Sequence, residues 1–177
     1  DDVVDVIREQ ADHSLAVMAG LGDGDAFTPV LRTAPQRAIW LAINLATAIL
    51  AASVIGLFQD TIEKVVALAV LMPIVASMGG IAGTQSLTVL IRAMAMGQIN
   101  DRTEIWLVRR EILVSTLNGL LWAAVIAVIA SYWFGDVRLG MIIAFAIVIN
   151  LITAGIAGSS LPLILDRLDI DPALAGG

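Results

Sequence analysis

Acidic side chains recur at the start of the chain at spacings that bring them to one helix face. Asp2, Asp5, Glu9 and Asp12 follow one another at intervals of three or four residues, and residues so spaced are neighbours on the surface of an α-helix. Carboxylate oxygens are ligands that hard divalent cations prefer, so this face could bind such ions. The same pattern is typical of a solvated acidic surface, and the residues alone leave both interpretations open.

More carboxylates stand near the other end of the chain. Asp166, Asp169 and Asp171 fall close together in the sequence, where they could also attract cations. Asp171 directly precedes Pro172, an order typical of a helix N-cap followed by a proline in the first turn. Capping and cation binding by Asp171 are compatible with each other.

Between these ends, the stretch from Leu71 to Arg92 combines neutral oxygen-bearing side chains with residues that disfavour helices. Apart from Arg92 at its end, it lies within the uncharged run Val65–Ile91, which is long enough to cross a bilayer as a helix. The stretch contains Pro73, Gly79, Gly80 and Gly83, with Ser77, Thr84, Gln85, Ser86 and Thr88 as its polar residues. Small residues let membrane helices pack closely, but an interrupted helix can also line a wet pathway. Both interpretations remain open here.

The segment MPIVASMGGIAGTQSLTVLIRAMAMGQI resembles the second transmembrane helix of the MgtE family of magnesium channels. The family pattern is a proline, then G-G-N-x-G-x-Q, then an arginine near the cytosolic end. This chain matches that pattern at Pro73, Gly79, Gly80, Gly83, Gln85 and Arg92. Ile81 stands where asparagine is usual, which removes one amide from the region. The resemblance covers essentially the whole chain.

This resemblance implies a channel that conducts hydrated Mg²⁺ into the cytosol and is gated by cytosolic Mg²⁺. Magnesium would then be both the substrate and a regulatory ligand. The family forms a homodimer with its pore on the dimer axis, and the match implies that the pore-facing residues here are Ala69, Ser77, Gly80 and Thr84. Asp2 and Asp5 fall on family positions that bind regulatory magnesium. Asp171 matches a family aspartate that binds magnesium at the cytosolic mouth of the pore.

Four uncharged runs identify the elements that must position these residues. They cover residues 38–59, 65–91, 112–135 and 139–165, and each exceeds the roughly 20 residues needed to span a bilayer. The chain is 59% hydrophobic, with a mean hydropathy of +0.92. We therefore predict an all-α integral membrane protein, with a transmembrane pore domain at 38–177, a linker at 23–37 and an amphipathic helix at 1–22.

The resemblance adds detail to this architecture. It implies that residues 1–22 form the cytosolic helix that plugs the pore. It also implies that the four transmembrane helices are part of a set of five, with the fifth following this chain and regulatory cytosolic domains preceding it. No charge lies within the four uncharged runs, so we expect no deep anionic site in this part of the family architecture.

Basic residues predict the orientation of the helices in the membrane. With a cytosolic N-terminus, the inner segments carry Arg8, Arg32, Arg37, Arg92, Arg102, Arg109, Arg110 and Arg167, whereas the outer loops carry only Lys64 and Arg138. Arginine and lysine concentrate on the cytoplasmic side of membrane proteins. The expected location is therefore the plasma (inner) membrane, crossed several times, with the N-terminus in the cytosol.

Composition narrows the possible partners and function classes. The chain has no cysteine and a single histidine, His13, so thiolate and histidine-cluster metal sites are not expected. No nucleophile–base pair is recognisable, and we predict that the chain is not an enzyme. Its net charge of −6 argues against nucleic acid as a partner. The expected partners are the lipid bilayer, divalent cations and a second copy of the chain.

Two other functions are compatible with the residues alone. An ion-coupled secondary transporter for divalent cations could also use interrupted helices, although proton coupling usually needs an intramembrane acid. A non-transporting helical membrane anchor could use its glycines for packing only. Asn44, Asn118 and Asn150 lie in the middle of the uncharged runs, and we predict that they bond neighbouring helices rather than ions.

Overall fold

The computed structural model describes residues 29–170, apart from the side chains of Arg32, Gln36, Asp101 and Arg102. These residues form five helices and no strand, namely α1 (Val30–Gly56), α2 (Gln59–Lys64), α3 (Val66–Ala95), α4 (Asp101–Phe134) and α5 (Val137–Arg167). All except the short α2 are long and apolar enough to cross a membrane. The predicted all-α membrane fold is thereby confirmed. The predicted helix at 1–22 lies outside the described residues.

The connection between α3 and α4 is short because capping motifs close both of its ends. Gly97 has a φ of 63°, and the Gln98 N–H donates to the Ala93 carbonyl at 3.0 Å, which is the Schellman arrangement of a helix end. At the other end, the Asn100 N–H donates to Thr103 Oγ1 at 2.8 Å. The Thr103 N–H in turn donates to Asn100 Oδ1 at 3.1 Å. This reciprocal pair resembles a capping box, and it starts α4 well before the uncharged run at 112–135.

Helix α5 is the centre of the described bundle. It packs along both α3 and α4, whereas α3 and α4 have little contact with each other. The apolar core consists of Leu71, Ala123, Ile126, Ala130, Leu139, Ile143, Ile147 and Leu151. None of the spanning part of α1 is buried. The position of α3, which carries the candidate site, therefore depends mainly on α5.

The glycines of α3 divide between two faces of the helix. A Cβ at Gly79 would collide with the side-chain amide of Asn150, and a Cβ at Gly83 would lie 3.7 Å from the Ala154 carbonyl oxygen. Both glycines therefore face α5 and serve close packing. A Cβ at Gly80 would meet nothing within 4 Å, so Gly80 faces an open side. Although Pro73 and these glycines disfavour helices, α3 is continuous from Val66 to Ala95.

Candidate functional site

An open groove follows the side of α3 that does not contact α5. It has a volume of about 710 Å³ and is lined by Ser77, Gly80, Ile81, Thr84, Gln85, Thr88, Val89 and Arg92. Ser77, Gly80, Thr84 and Thr88 are all exposed, and their spacing of three or four residues places them along one helix face. The structure thus brings three of the four predicted pore-facing residues, Ser77, Gly80 and Thr84, into one groove.

The two threonine hydroxyls use their protons within the helix. Thr84 Oγ1 donates to the Gly80 carbonyl at 3.0 Å, and Thr88 Oγ1 donates to the Thr84 carbonyl at 2.8 Å. A hydroxyl that donates to the backbone keeps its lone pairs as acceptors. The groove therefore presents neutral oxygen acceptors, which can accept hydrogen bonds from the water shell of a cation. Arg92 places a positive charge at one end.

Ala69, the fourth predicted pore-facing residue, borders a different hollow. This hollow has a volume of about 620 Å³ and lies where α3 passes α2 and α5, lined by Ile62, Leu68, Ala69, Met72, Pro73, Val75, Ala76, Ile142, Ile143 and Ala146. Ala69 is exposed there. Its walls are almost entirely apolar, so this hollow offers a cation far fewer oxygen ligands than the groove does.

The predicted magnesium ligands Asp2, Asp5 and Asp171 lie outside the described residues. The two neighbouring acids that the structure does describe, Asp166 and Asp169, are exposed where α5 ends. Asp169 adopts a φ of 55°, and its N–H donates to the Asp166 carbonyl at 3.1 Å. In the part of the chain that is described, no three acidic or histidine side chains are grouped as a metal site.

A buried polar layer joins the three packed helices near Thr84 and Thr88. Among the side chains that the structure describes, the buried polar or charged ones are Ser86, Glu111, Ser115 and Ser159, and each is at most 5% exposed. Ser159 Oγ donates to the Gly155 carbonyl of its own helix at 2.7 Å. A Cβ at Gly155 would collide with Ser115, and one at Gly158 would collide with the Gly83 carbonyl. These glycines let α4 and α3 approach α5 closely at this level.

Glu111 has a hydrogen-bond or ion-pair partner at each of its two carboxylate oxygens. Ser86 Oγ of α3 donates to Glu111 Oε2 at 3.1 Å, and the Arg110 guanidinium lies 2.7 Å from Glu111 Oε1. The Arg110 side chain is 49% exposed, so it can stabilise the buried carboxylate while its charge stays partly solvated. Among the described residues, the Ser86–Glu111 bond is the one side-chain hydrogen bond between α3 and α4.

Sequence reasoning missed this role of Glu111. The residue directly precedes the uncharged run at 112–135, so the sequence pattern places it outside the membrane-crossing segment, but the structure places it inside α4 and buries it. Ser115 and Asn118 follow at intervals of four and three residues, a polar stripe along one helix face that could have signalled the site. Glu111, Ser115 and Asn118 line a cavity of about 590 Å³, which Gln85 and Ser86 border from α3.

The amide of Asn150 joins α5 to α3. Asn150 Nδ2 donates to the Val75 carbonyl at 2.6 Å. This carbonyl lies in the turn before Gly79, and Gly79 leaves room for the amide. The prediction that mid-span amides bond neighbouring helices is thus confirmed for Asn150. Nearer the other end of α5, Arg167 pairs with Glu104 of α4 at 2.6 Å.

Comparison with known proteins agrees with the resemblance seen in the motif. Residues 72–177 match the family model MgtE, described as a divalent cation transporter. The chain is 35% identical over 178 residues to the magnesium transporter MgtE of Bacillus subtilis, covering 100% of this chain and 40% of that protein. It is 32% identical over 180 residues to the magnesium transporter MgtE of Thermus thermophilus, covering 98% of this chain and 39% of that protein. The chain thus spans about two fifths of these relatives' length.

Proposed function

Since the chain belongs to the MgtE family of divalent cation transporters, we propose that it forms part of a channel that conducts hydrated Mg²⁺ into the cytosol. The groove along α3 carries this proposal. It combines an open glycine, three hydroxyl-bearing side chains and the amide of Gln85 on a helix that is long enough to span a membrane.

The chemistry of the groove suits an ion that keeps its water. Magnesium prefers octahedral oxygen coordination at about 2.0–2.1 Å and loses its waters reluctantly. Neutral acceptors such as Thr84 Oγ1 and Thr88 Oγ1 can hold that water shell without binding the ion too strongly to release it. The absence of a side chain at Gly80 leaves space for a hydrated ion beside the backbone.

The groove also supports a homodimer. In a lone subunit this face of α3 would meet lipid, which offers no hydrogen-bond partner to the side-chain amide of Gln85. A second copy placed across this face would enclose the groove as a pore between two α3 helices. In this arrangement Asp171 would bind magnesium at the cytosolic mouth of the pore. Asp2 and Asp5 would bind the regulatory magnesium that closes it, with the protein in the inner membrane and its N-terminus in the cytosol.

Magnesium uptake by magnesium-starved cells tests this proposal in the full-length protein. We expect Gly80→Leu to block the groove and Asp171→Ala to weaken ion capture, each lowering uptake by roughly tenfold or more at equal expression. Gly56→Leu and Asp169→Ala are matched controls, because a Cβ at Gly56 also meets nothing within 4 Å and Asp169 is an exposed neighbouring acid. Unchanged uptake in both test variants would favour an anchor whose glycines only pack helices.

One observation favours ion-coupled transport as a second candidate. Glu111 is a buried carboxylate within a helix long enough to span a membrane, and such acids can carry protons. Glu111 is bonded to Ser86 and paired with Arg110, an arrangement that also suits a structural link between helices in a channel. Magnesium flux measured at fixed voltage separates the two functions. Dependence of that flux on a proton or sodium gradient would favour coupling, and independence would favour the channel.

A further inference from the structure

We infer that Glu111 is a positioning residue for the cation path. Through its hydrogen bond with Ser86, it fixes the turn of α3 that presents Thr84 and Thr88 to the groove. The inference rests on the proposed path along α3 and adds to it a residue on a different helix. Glu111 has no place in the groove itself, since it lies on α4 and is 5% exposed. Its contact with the path is indirect, through the hydrogen bond from Ser86 to its carboxylate.

The location of Ser86 connects Glu111 to the groove. Ser86 lies two residues after Thr84 and two before Thr88, so it points away from the face that these threonines share. Ser86 is 2% exposed, whereas both threonines are exposed. A bond that fixes Ser86 therefore fixes the rotation of the α3 turn that presents the two hydroxyls to the groove.

The glycine contact beside Ser86 adds little resistance to this rotation. At this level α3 contacts α5 through Gly83 and Leu87, whose backbones lie against Gly158. A glycine-to-glycine contact allows close approach but has no side chain to interlock and resist rotation or sliding. Elsewhere α3 and α4 have little contact. Glu111 thus adds a directional contact at a level of α3 where the other buried side chains, such as Leu87 and Leu90, are apolar.

The pairing of Glu111 with both Ser86 and Arg110 strengthens the contact. A hydrogen bond in which one partner is ionised is roughly twice as strong as one between neutral groups. Glu111 Oε1 lies 2.7 Å from the half-exposed Arg110 guanidinium, and Oε2 accepts from Ser86. A buried carboxylate in a membrane helix is costly to maintain. Glu111 is linked to the path by a single hydrogen bond, from Ser86. A role in positioning α3 accounts for a buried carboxylate that helix packing by itself does not need.

Magnesium flux into proteoliposomes containing the full-length protein tests the inference. We expect Ser86→Ala and Glu111→Leu each to lower the maximal flux about tenfold, with the half-saturating Mg²⁺ concentration changed less than twofold. We expect Glu111→Gln to stay within about threefold of the parent, because the amide oxygen still accepts from Ser86. The double variant Ser86→Ala/Glu111→Leu should be no slower than either single variant, since both remove one contact.

The matched control is Ser159→Ala. Ser159 belongs to the same buried layer, but its hydroxyl bonds only within α5, so we expect its flux to stay within twofold of the parent. Equal losses in Ser159→Ala and Ser86→Ala would overturn the inference, because they would show a general need for polar groups in the layer. Losses that multiply in the double variant would also overturn it.

A second measurement reports the geometry directly and does not depend on flux. The chain contains no cysteine, so Thr84→Cys gives residues 1–177 one thiol, and any cysteine elsewhere in the full-length protein is first replaced by serine. We expect its reaction rate with a water-soluble thiol reagent to change at least threefold when Ser86→Ala is added and to stay unchanged with Ser159→Ala. Equal rates in all three backgrounds would overturn the positioning role. If labelled Thr84→Cys instead conducts like the unlabelled protein, the proposed path along α3 is wrong.

Discussion

At the scale of single residues, polar side chains in this bundle divide into those that join helices and those that face the groove. Asn150, Ser86 and Glu111 form bonds between helices, whereas Thr84 and Thr88 bond only the backbone of their own helix. The first group fixes how α3 is seated. The second leaves oxygen lone pairs for an ion's water shell, so polarity alone does not distinguish the two roles.

We expect Asn150→Leu to lower the free energy of unfolding by about 0.6–1.7 kcal/mol, which runs from the average to the largest value for hydrogen bonds between membrane helices. The variant loses the bond to the Val75 carbonyl and places a branched side chain against Gly79. Reversible unfolding in mixed micelles measures this loss. Asn44→Leu is the control, because Asn44 is exposed on α1. Equal losses in the two variants would contradict the assigned role of Asn150.

The sequence could predict that Asn150 joins helices, because an amide in an apolar span has few other partners. It could not predict the role of Glu111. The sequence does not distinguish a charged residue inside a helix from one just before it when that residue borders an apolar run. Here the helix starts earlier, because Asn100 and Thr103 cap α4. The sequence also could not assign Gly79 and Gly80 to opposite roles, since that assignment depends on where α5 packs.

At the scale of elements, α3 has one face for packing and one for the groove. Gly79 and Gly83 meet α5, and Gly80 and Thr84 lie on the open side. Within each set the residues are four positions apart. The packing face and the groove face therefore draw on alternating positions of the same short segment. A single segment can therefore satisfy the packing interpretation and the pathway interpretation, which the sequence presented as alternatives.

Alanine at the two kinds of glycine should give opposite results. We expect Gly158→Ala to destabilise the bundle by about 1–3 kcal/mol, the usual cost of overpacking, because its Cβ would collide with the Gly83 backbone. We expect Gly80→Ala to be neutral or stabilising by up to about 1 kcal/mol, since alanine favours helix and the site is open. Unfolding in mixed micelles measures both variants, and a greater loss at Gly80 would contradict this division of the glycines.

At the scale of the whole molecule, the described bundle leaves much of its apolar surface uncovered. None of the spanning part of α1 is buried, and 11% of the most apolar stretch of α3 is buried. Lipid can cover the apolar side chains, but it cannot satisfy the polar groups of the groove. The groove is therefore the face that most needs a protein partner, in agreement with the proposed homodimer.

Cross-linking of single cysteines tests which face meets the second copy. We expect Thr84→Cys in the full-length protein to form a disulfide-linked dimer in membranes under mild oxidation, because the two α3 grooves would face each other. Tyr132→Cys is the control, since Tyr132 is 92% exposed near the end of α4 and should stay monomeric. Efficient cross-linking at Tyr132 with none at Thr84 would place the dimer interface on α4 instead.

The central place of α5 has a consequence for biosynthesis. A nascent chain emerges from its N-terminal end, at about 5–20 residues per second, so α3 and α4 enter the membrane several seconds before α5 is complete. Until then these two helices have little to hold them together, because they contact α5 far more than each other. The placement of α3, which carries the groove, therefore waits for the last described helix to be inserted, and a ribosome that stalls before Gly158 leaves α3 without its main support.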